Sequence, residues 1–207
     1  MWTDSEHVIK PKTKRGEFTL GKIFRAATEL FYEKGYFGTS IIDITERAGI
    51  SNGTFYIYFK DKYSLFCYTM QYVSRDLRRA TTLAAAKGKN RYEKELSGFK
   101  GYLDYMLRHP GVLRIIFESL YVDPALFKAY YENFSKRYSD ALRRAIADGE
   151  VLDCDVTVAS YLLIGSYTFV GIKHVVFDEK KSISDEEAEK LFNILEKGLF
   201  NKTEGTP

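Results

Sequence analysis

The sequence predicts an all-α protein, a small three-helix head followed by a larger helical body. Three observations lead there. Only 4 of the 207 residues are proline, so long helices run without interruption. Apolar residues recur three and four positions apart from Ile23 onward. No run of alternating β-branched residues bounded by turn signals occurs at strand spacing.

The elements follow in order. Residues 1–15 are polar and end in the basic run Lys10, Lys12, Lys14, Arg15, which reads as a flexible arm. Ile23, Phe24, Ala27, Leu30 and Phe31 mark the apolar stripe of a first helix, and Gly35 suits its C-cap. Ser40 with Asp43 forms a capping box for a short second helix through Ile41, Ile44 and Ala48, closed by Gly49. Ser51 caps a third short helix through Tyr58, and Asp61 a fourth through Leu65, Phe66, Met70, Val73 and Leu77. The turn Lys87–Asn90 is the clearest break. Further helices fit 91–108, 110–120 and 124–148, with Pro110 and Pro124 in first turns and Asp123 as a cap. Asp155 caps an uncharged helix over 156–176. Ser184 with Glu187 reads as a second capping box for a last helix ending near Leu199.

Composition excludes several classes. Lys plus Arg is 31 and Asp plus Glu 28, a net +3, which fits neither a polybasic tail nor an acidic solvating chain. Two cysteines, Cys67 and Cys154, do not make a disulfide scaffold. No signal peptide is recognisable at the start, so the expected location is the cytoplasm. The uncharged run Val156–Ile172 carries Ser, Thr, Tyr and Gly and is followed by Lys173, which favours a buried helix over a membrane span. His7, His109 and His174 have no carboxylate at ligand spacing, so no metal site is expected. No glycine-rich phosphate loop, nucleophile elbow or paired catalytic carboxylates stand out, so no enzyme and no cofactor are expected.

The informative stretch is 35–62. Two short helices flank the turn Gly49-Ile50-Ser51, which is helix-turn-helix spacing. Ile44, Ala48, Ile50, Phe55 and Phe59 form the expected small core. That leaves Asn52, Gly53, Thr54, Tyr56, Ile57 and Tyr58 facing outward, where a solvated helix would carry Glu and Lys. Hydroxyls and an amide donate to phosphate oxygens, and a bare glycine lets a sugar-phosphate strand come close. The charge is modest, however: residues 1–62 hold ten basic and eight acidic side chains, so the basic arm must help.

Residues 22–66 resemble the DNA-binding head of the TetR family of bacterial transcription regulators. The matching run is Ala26-Ala27, Leu30-Phe31, Gly35-Tyr36, Thr39-Ser40-Ile41, Ile44, Ala48-Gly49-Ile50-Ser51, Gly53-Thr54-Phe55-Tyr56, Tyr58-Phe59, Lys62 and Leu65-Phe66. The resemblance implies a homodimer on pseudo-twofold double-stranded operator DNA, with the second helix of the motif in the major groove. Carried onto this chain, Ser51, Asn52, Gly53, Thr54, Tyr56, Ile57 and Tyr58 are expected to face DNA. Ser40, Ile41 and Lys62 are expected to touch its backbone. Asn52 suits an adenine edge and Ile57 a thymine methyl. Where family members often carry a polar residue, Ile41 and Ile42 are both apolar here.

The resemblance also implies a body that binds a small molecule. The composition has 16 Tyr and 15 Phe, which suits an aromatic-lined cavity for a small hydrophobic or aromatic effector. Its expected lining is Tyr68, Tyr72, Tyr102, Tyr105, Phe117, Glu118, Tyr121, Phe134, Tyr138 and Tyr167, with one carboxylate selecting a cation. The helices 156–176 and 184–199 are expected to form the dimer interface through Ala159, Leu163, Ser166, Val170, Leu191 and Leu195. The reading is thus a flexible basic arm (1–15), a helix-turn-helix DNA-binding domain (16–60), a ligand-binding and dimerisation domain (61–200) and a flexible tail (201–207). The expected function is a ligand-released repressor; the alternative is a ligand-dependent activator or co-repressed regulator of the same fold.

Overall fold

The computed structural model describes residues 7–180, 182 and 184–199, and among them every regular element is helical. The helices are α1 (Lys14–Lys34), α2 (Ile41–Ala48), α3 (Asn52–Tyr58), α4 (Lys62–Ala85), α5 (Arg91–Arg108), α6 (Gly111–Val122), α7 (Pro124–Ala147), α8 (Val156–Ile172) and α9 (Asp185–Leu199). A single π-helical turn, Lys173–Phe177, prolongs α8. The expected boundaries hold closely because they rest on local caps. Asn90 receives the Glu93 N–H on α5, and Asp155 receives Thr157 and Val158 on α8.

The chain forms two compact units. One holds the residues up to Arg75 together with Gly111–Lys128; the other holds Asp76–Pro110 and the residues from Ala129 onward. In the first unit, Ile23, Ala27, Leu30 and Phe31 of α1 are buried with Ile44 and Ala48 of α2, Phe55 of α3 and Phe59 just beyond it. Each buried Ile, Leu or Phe side chain contributes about 1.5–3 kcal/mol by leaving water. Helix α6 belongs here through α1: a Cβ at Gly111 would run into the Tyr32 ring, so only glycine allows this approach. Ile50 is half-buried rather than part of the core.

The N-terminal segment departs from the expected free arm. Helix α1 begins at Lys14 because Thr13 caps it, accepting the Gly16 N–H at 3.1 Å. Ahead of it, Val8 is buried and the Ile9 N–H donates to the Tyr58 carbonyl at 2.9 Å. Residues 1–6 and the tail 200–207 lie outside the described residues.

In the second unit, α5 packs on α8 and α9. Its inward face is Glu95, Phe99, Tyr102, Leu103 and Met106, and Leu163, Tyr167, Ala188 and Phe192 are buried with it. Helix α7 joins α8 through a Ser135–Ser160 hydroxyl bond of 2.6 Å and through Leu142, which clusters with Ala159 and Leu163. The expected box at α9 is half-formed. Ser184 Oγ accepts the Glu187 N–H at 3.1 Å, but the Glu187 carboxylate goes to Lys180. A cationic partner outcompetes a reciprocal backbone bond.

Candidate functional site

Two short helices are held at a fixed turn. Ser40 Oγ accepts the Asp43 N–H at 3.0 Å, and Asp43 Oδ2 accepts the Ser40 N–H at 2.7 Å and its hydroxyl at 2.6 Å. These bonds to Ser40 hold the Asp43 carboxyl below its ordinary range. Gly49 adopts the left-handed conformation (φ 62°), and Ile50 N–H returns to the Thr45 carbonyl. Ser51 Oγ caps α3 through Thr54 N–H at 3.3 Å. Phe55 and Phe59, fully buried with ring centroids 5.8 Å apart, fix the roll of α3.

The roll decides what α3 presents. Ser51, Asn52, Gly53, Tyr56 and Ile57 are exposed, and Thr54 is half-buried. Thr45 Oγ1 donates to Asn52 Oδ1 at 2.6 Å, so the side-chain carbonyl of Asn52 is engaged and its amide N–H groups remain for a partner. Bidentate adenine reading uses both ends of the amide. As held, Asn52 is better suited to donate, to a guanine edge or a phosphate.

Two expected contact residues are corrected. Tyr58 is buried, with 8% of its surface exposed, and its carbonyl accepts the Ile9 N–H from the segment before α1. Lys62 does not point a free ammonium outward. Its Nζ donates to the Tyr36 and Thr39 carbonyls at 2.7 Å each and sits 4.2 Å from the Tyr36 ring centroid. It fixes the loop that leads into α2, and burial lowers its proton affinity. Ser40 remains exposed and Ile41 half-buried, but the Ser40 hydroxyl is already given to Asp43. Lys10, Lys12, Lys14 and Arg15 are exposed on the segment anchored at the end of α3.

The expected cavity lining falls in both units. Tyr68, Tyr72, Phe117, Glu118 and Tyr121 belong to the first. There Glu118 Oε2 accepts the Tyr36 N–H at 2.5 Å, and Arg114 donates to the Tyr32 and Glu33 carbonyls. Glu118 therefore terminates α1 rather than selecting a ligand. Tyr72 lies tilted against Phe24 at the surface, Tyr68 meets Phe24 edge-on, and Phe117 and Tyr121 are exposed.

In the second unit Tyr102 packs near Tyr167 and Tyr105 beside His109, while Tyr138 and Tyr167 converge on Glu95, which the sequence pattern did not single out. Glu95 is 5% exposed. Arg91 pairs with its Oε1, and the Tyr138 hydroxyl donates to Oε2. Tyr167 donates to the same oxygen at 3.1 Å. The Arg91 guanidinium carbon lies 5.6 Å from the Tyr138 ring centroid. Burial pushes the Glu95 carboxyl up, opposed by Arg91 and the hydroxyls. Phe134 is half-buried beside Tyr138, 6.4 Å between ring centroids.

The expected dimer face is also corrected. Leu163 is 0% exposed and Ala159 is buried with it against Leu142, so both belong to the core of a single chain. Ser166 and Val170 are half-buried. The apolar face left open is one position round the helix: Val158, Leu162 (55% exposed), Phe169 (71%) and Val176, with Tyr161 beside them. Ile194 of α9 is exposed as well. The side chains of Leu191 and Leu195 lie outside the described residues. The run Val156–Phe177 has a mean hydropathy of 1.3 and is long and apolar enough to cross a membrane by length and composition. Leu163 facing its own core and Leu162 facing outward account for an apolar helix without a bilayer.

Comparison with known proteins places these features. Residues 23–68 match the family described as bacterial regulatory proteins, tetR family. The chain is 29% identical over 153 residues to the uncharacterized HTH-type transcriptional regulator YvdT of Bacillus subtilis, covering 69% of this chain and 74% of that one. It is 24% identical over 122 residues to the HTH-type transcriptional activator FasR of Mycolicibacterium smegmatis, covering 59% and 56%. A TetR family transcription regulator from Marinobacter aquaeolei shares the fold, with a TM-score of 0.75 at 18% identity over 91% of this chain and 99% of that one.

Proposed function

Because the chain belongs to the tetR family of bacterial regulatory proteins, we propose that it is a cytoplasmic homodimer. In this reading α3 enters the major groove of a palindromic operator and a small hydrophobic or aromatic effector releases the complex. The observation that carries this is the surface of α3: Ser51, Asn52, Gly53, Tyr56 and Ile57 exposed together on a helix whose roll is fixed by Phe55 and Phe59. A duplex is the partner that hydroxyls, an amide and a bare backbone suit. Two heads reading a palindrome need half-sites about 34–36 Å apart or a multiple of that. The apolar face of α8 supports twofold pairing, since an isologous contact buries each exposed side chain twice. An effector acts only through its differential affinity for two states of the body. Moving the balance from 1:99 to 99:1 takes about 5.5 kcal/mol.

A selection from randomised duplexes tests the interface. Asn52→Ala is expected to relax preference for guanine at one base pair of each half-site, by about 1 kcal/mol for the single donor bond lost. Tyr56→Phe is expected to weaken binding to all sequences alike, through a lost phosphate bond. Variants that both bind as wild type remove α3 from the interface. A second expectation concerns the anchored basic segment. Replacing Lys10, Lys12 and Lys14 by Ala lowers the slope of log affinity against log salt by about one for each lysine on a phosphate. An unchanged slope takes the segment off the DNA.

The second reading, activation or co-repression, is favoured by the similarity to a protein named as a transcriptional activator. Operator binding measured with and without effector gives the sign.

A further inference from the structure

Thr45 is buried on α2, with 3% of its surface exposed. Its hydroxyl lies 2.6 Å from Asn52 Oδ1 on α3 and 3.1 Å from the Ile42 carbonyl on its own helix. A hydroxyl has one proton to give. We propose that Thr45 sets which base Asn52 reads. By donating to the Asn52 carbonyl it makes that amide a donor toward DNA, so that Asn52 selects guanine where an unheld asparagine selects adenine. This rests on α3 entering the major groove.

The distances assign the proton. A separation of 2.6 Å is usual between two oxygens and short between a nitrogen and an oxygen, so the carbonyl end of Asn52 is the end turned to Thr45. A helical hydroxyl commonly bonds a carbonyl one turn back, but here that acceptor is the farther of the two. Both partners are firmly placed. The Thr45 carbonyl receives the Ile50 N–H at 3.0 Å, which ties the residue into the turn. On α3, the Thr54 N–H bonds the Ser51 carbonyl at 3.0 Å and its hydroxyl at 3.3 Å, and Phe55 is fully buried. Asn52 itself is exposed. The oxygen is thus drawn against α2, and the two N–H groups are the end offered outward.

That end matches one purine and not the other. Recognition helices meet base edges with their first residues, and Asn52 opens α3. In the major groove adenine presents an acceptor, N7, beside a donor, N6, and is paired by both ends of an amide. Guanine presents two acceptors, N7 and O6, and is paired by donors alone. Two N–H groups meet guanine and oppose the N6 donor of adenine. Thr45 touches no base in this arrangement. It is a positioning residue, acting through the amide it holds.

The experiment selects from randomised duplexes with the full chain: wild type, Thr45→Val, Thr45→Ser and Asn52→Ala, each shown folded by circular dichroism. Wild type and Thr45→Ser are expected to enrich guanine over adenine at one position of each half-site, by about fivefold, the ratio that one hydrogen bond sets. Thr45→Val keeps the branched shape and gives up the proton. It is expected to enrich adenine at that same position and to leave the other positions unchanged. Asn52→Ala is expected to prefer neither purine there. A purely structural role for Thr45 weakens Thr45→Val on all sequences alike with guanine still enriched, and that result overturns the proposal. Uniform weakening in Asn52→Ala also overturns it, because the N–H groups then lie on a phosphate. Should Thr45→Val fail to fold, the wild type decides: guanine at the position that Asn52→Ala erases supports the proposal, and adenine there overturns it. Failure of the groove reading itself looks different. In that case the wild type enriches no sequence, or Asn52→Ala and Tyr56→Phe both bind as wild type, and the role of Thr45 falls with it.

Discussion

The double variant Leu162→Asp/Phe169→Asp is expected to sediment as a 23.9 kDa monomer and to lose tight operator binding while remaining folded. Both side chains stand on the open face of α8, in line with Val158 and Val176 at helical spacing. Burying a side chain of this size contributes about 1.5–3 kcal/mol. A twofold contact counts each residue on both protomers, so four large groups are removed at once. The new carboxylates would stand near their own symmetry mates in the interface, where like charges repel. On DNA the loss is magnified, because pairing makes the second half-site an intramolecular encounter; unlinking two modules forfeits about 10²–10⁴ in avidity. Sedimentation velocity and operator titration together check this. A dimeric double variant would remove α8 from the interface. The neighbouring Leu163→Asp serves as the contrast: that side chain is fully buried, so the same substitution there unfolds the second unit instead.

Glu95→Leu is expected to destabilise the chain by about 3–5 kcal/mol, since it leaves the Arg91 guanidinium uncompensated in a dry interior. The matched replacement Arg91→Met/Glu95→Leu/Tyr138→Phe/Tyr167→Phe is expected to return within about 1–2 kcal/mol of wild type. It removes the pair together with the two hydroxyls that would otherwise be stranded. Urea denaturation of the full chain measures both and tells whether the pair is needed for folding. If the apolar quadruple variant is as unstable as the single one, the ion pair is needed for folding. If it recovers, the pair is dispensable for folding.

The sequence made the local decisions legible. Ser40 with Asp43, Gly49, Ser51 and Asp155 act through bonds spanning two to five residues, so spacing alone reveals them. Contacts between distant segments were not legible. The Tyr58 carbonyl takes the Ile9 N–H from about fifty positions away, and nothing in the α3 pattern announces that contact. The Lys62 ammonium is taken up by carbonyls at Tyr36 and Thr39, and a charge on a helix looks the same whether its head is free or spent. Helix α8 is apolar on all sides, so periodicity could not say that Leu163 faces inward and Leu162 outward. Glu95 was within reach. It lies in register with Phe99, Tyr102 and Met106, and a carboxylate on an otherwise apolar stripe marks a buried charge.

The hydrogen bond from Ile9 to the Tyr58 carbonyl has a practical side. If α3 enters the groove as proposed, a tag or reporter joined directly ahead of residue 7 is expected to start near the C-terminal end of α3 and to compete with the duplex for space. Material purified with an uncleaved leader would then understate operator affinity, so assays of this regulator are better run on protein labelled or tethered at the opposite terminus.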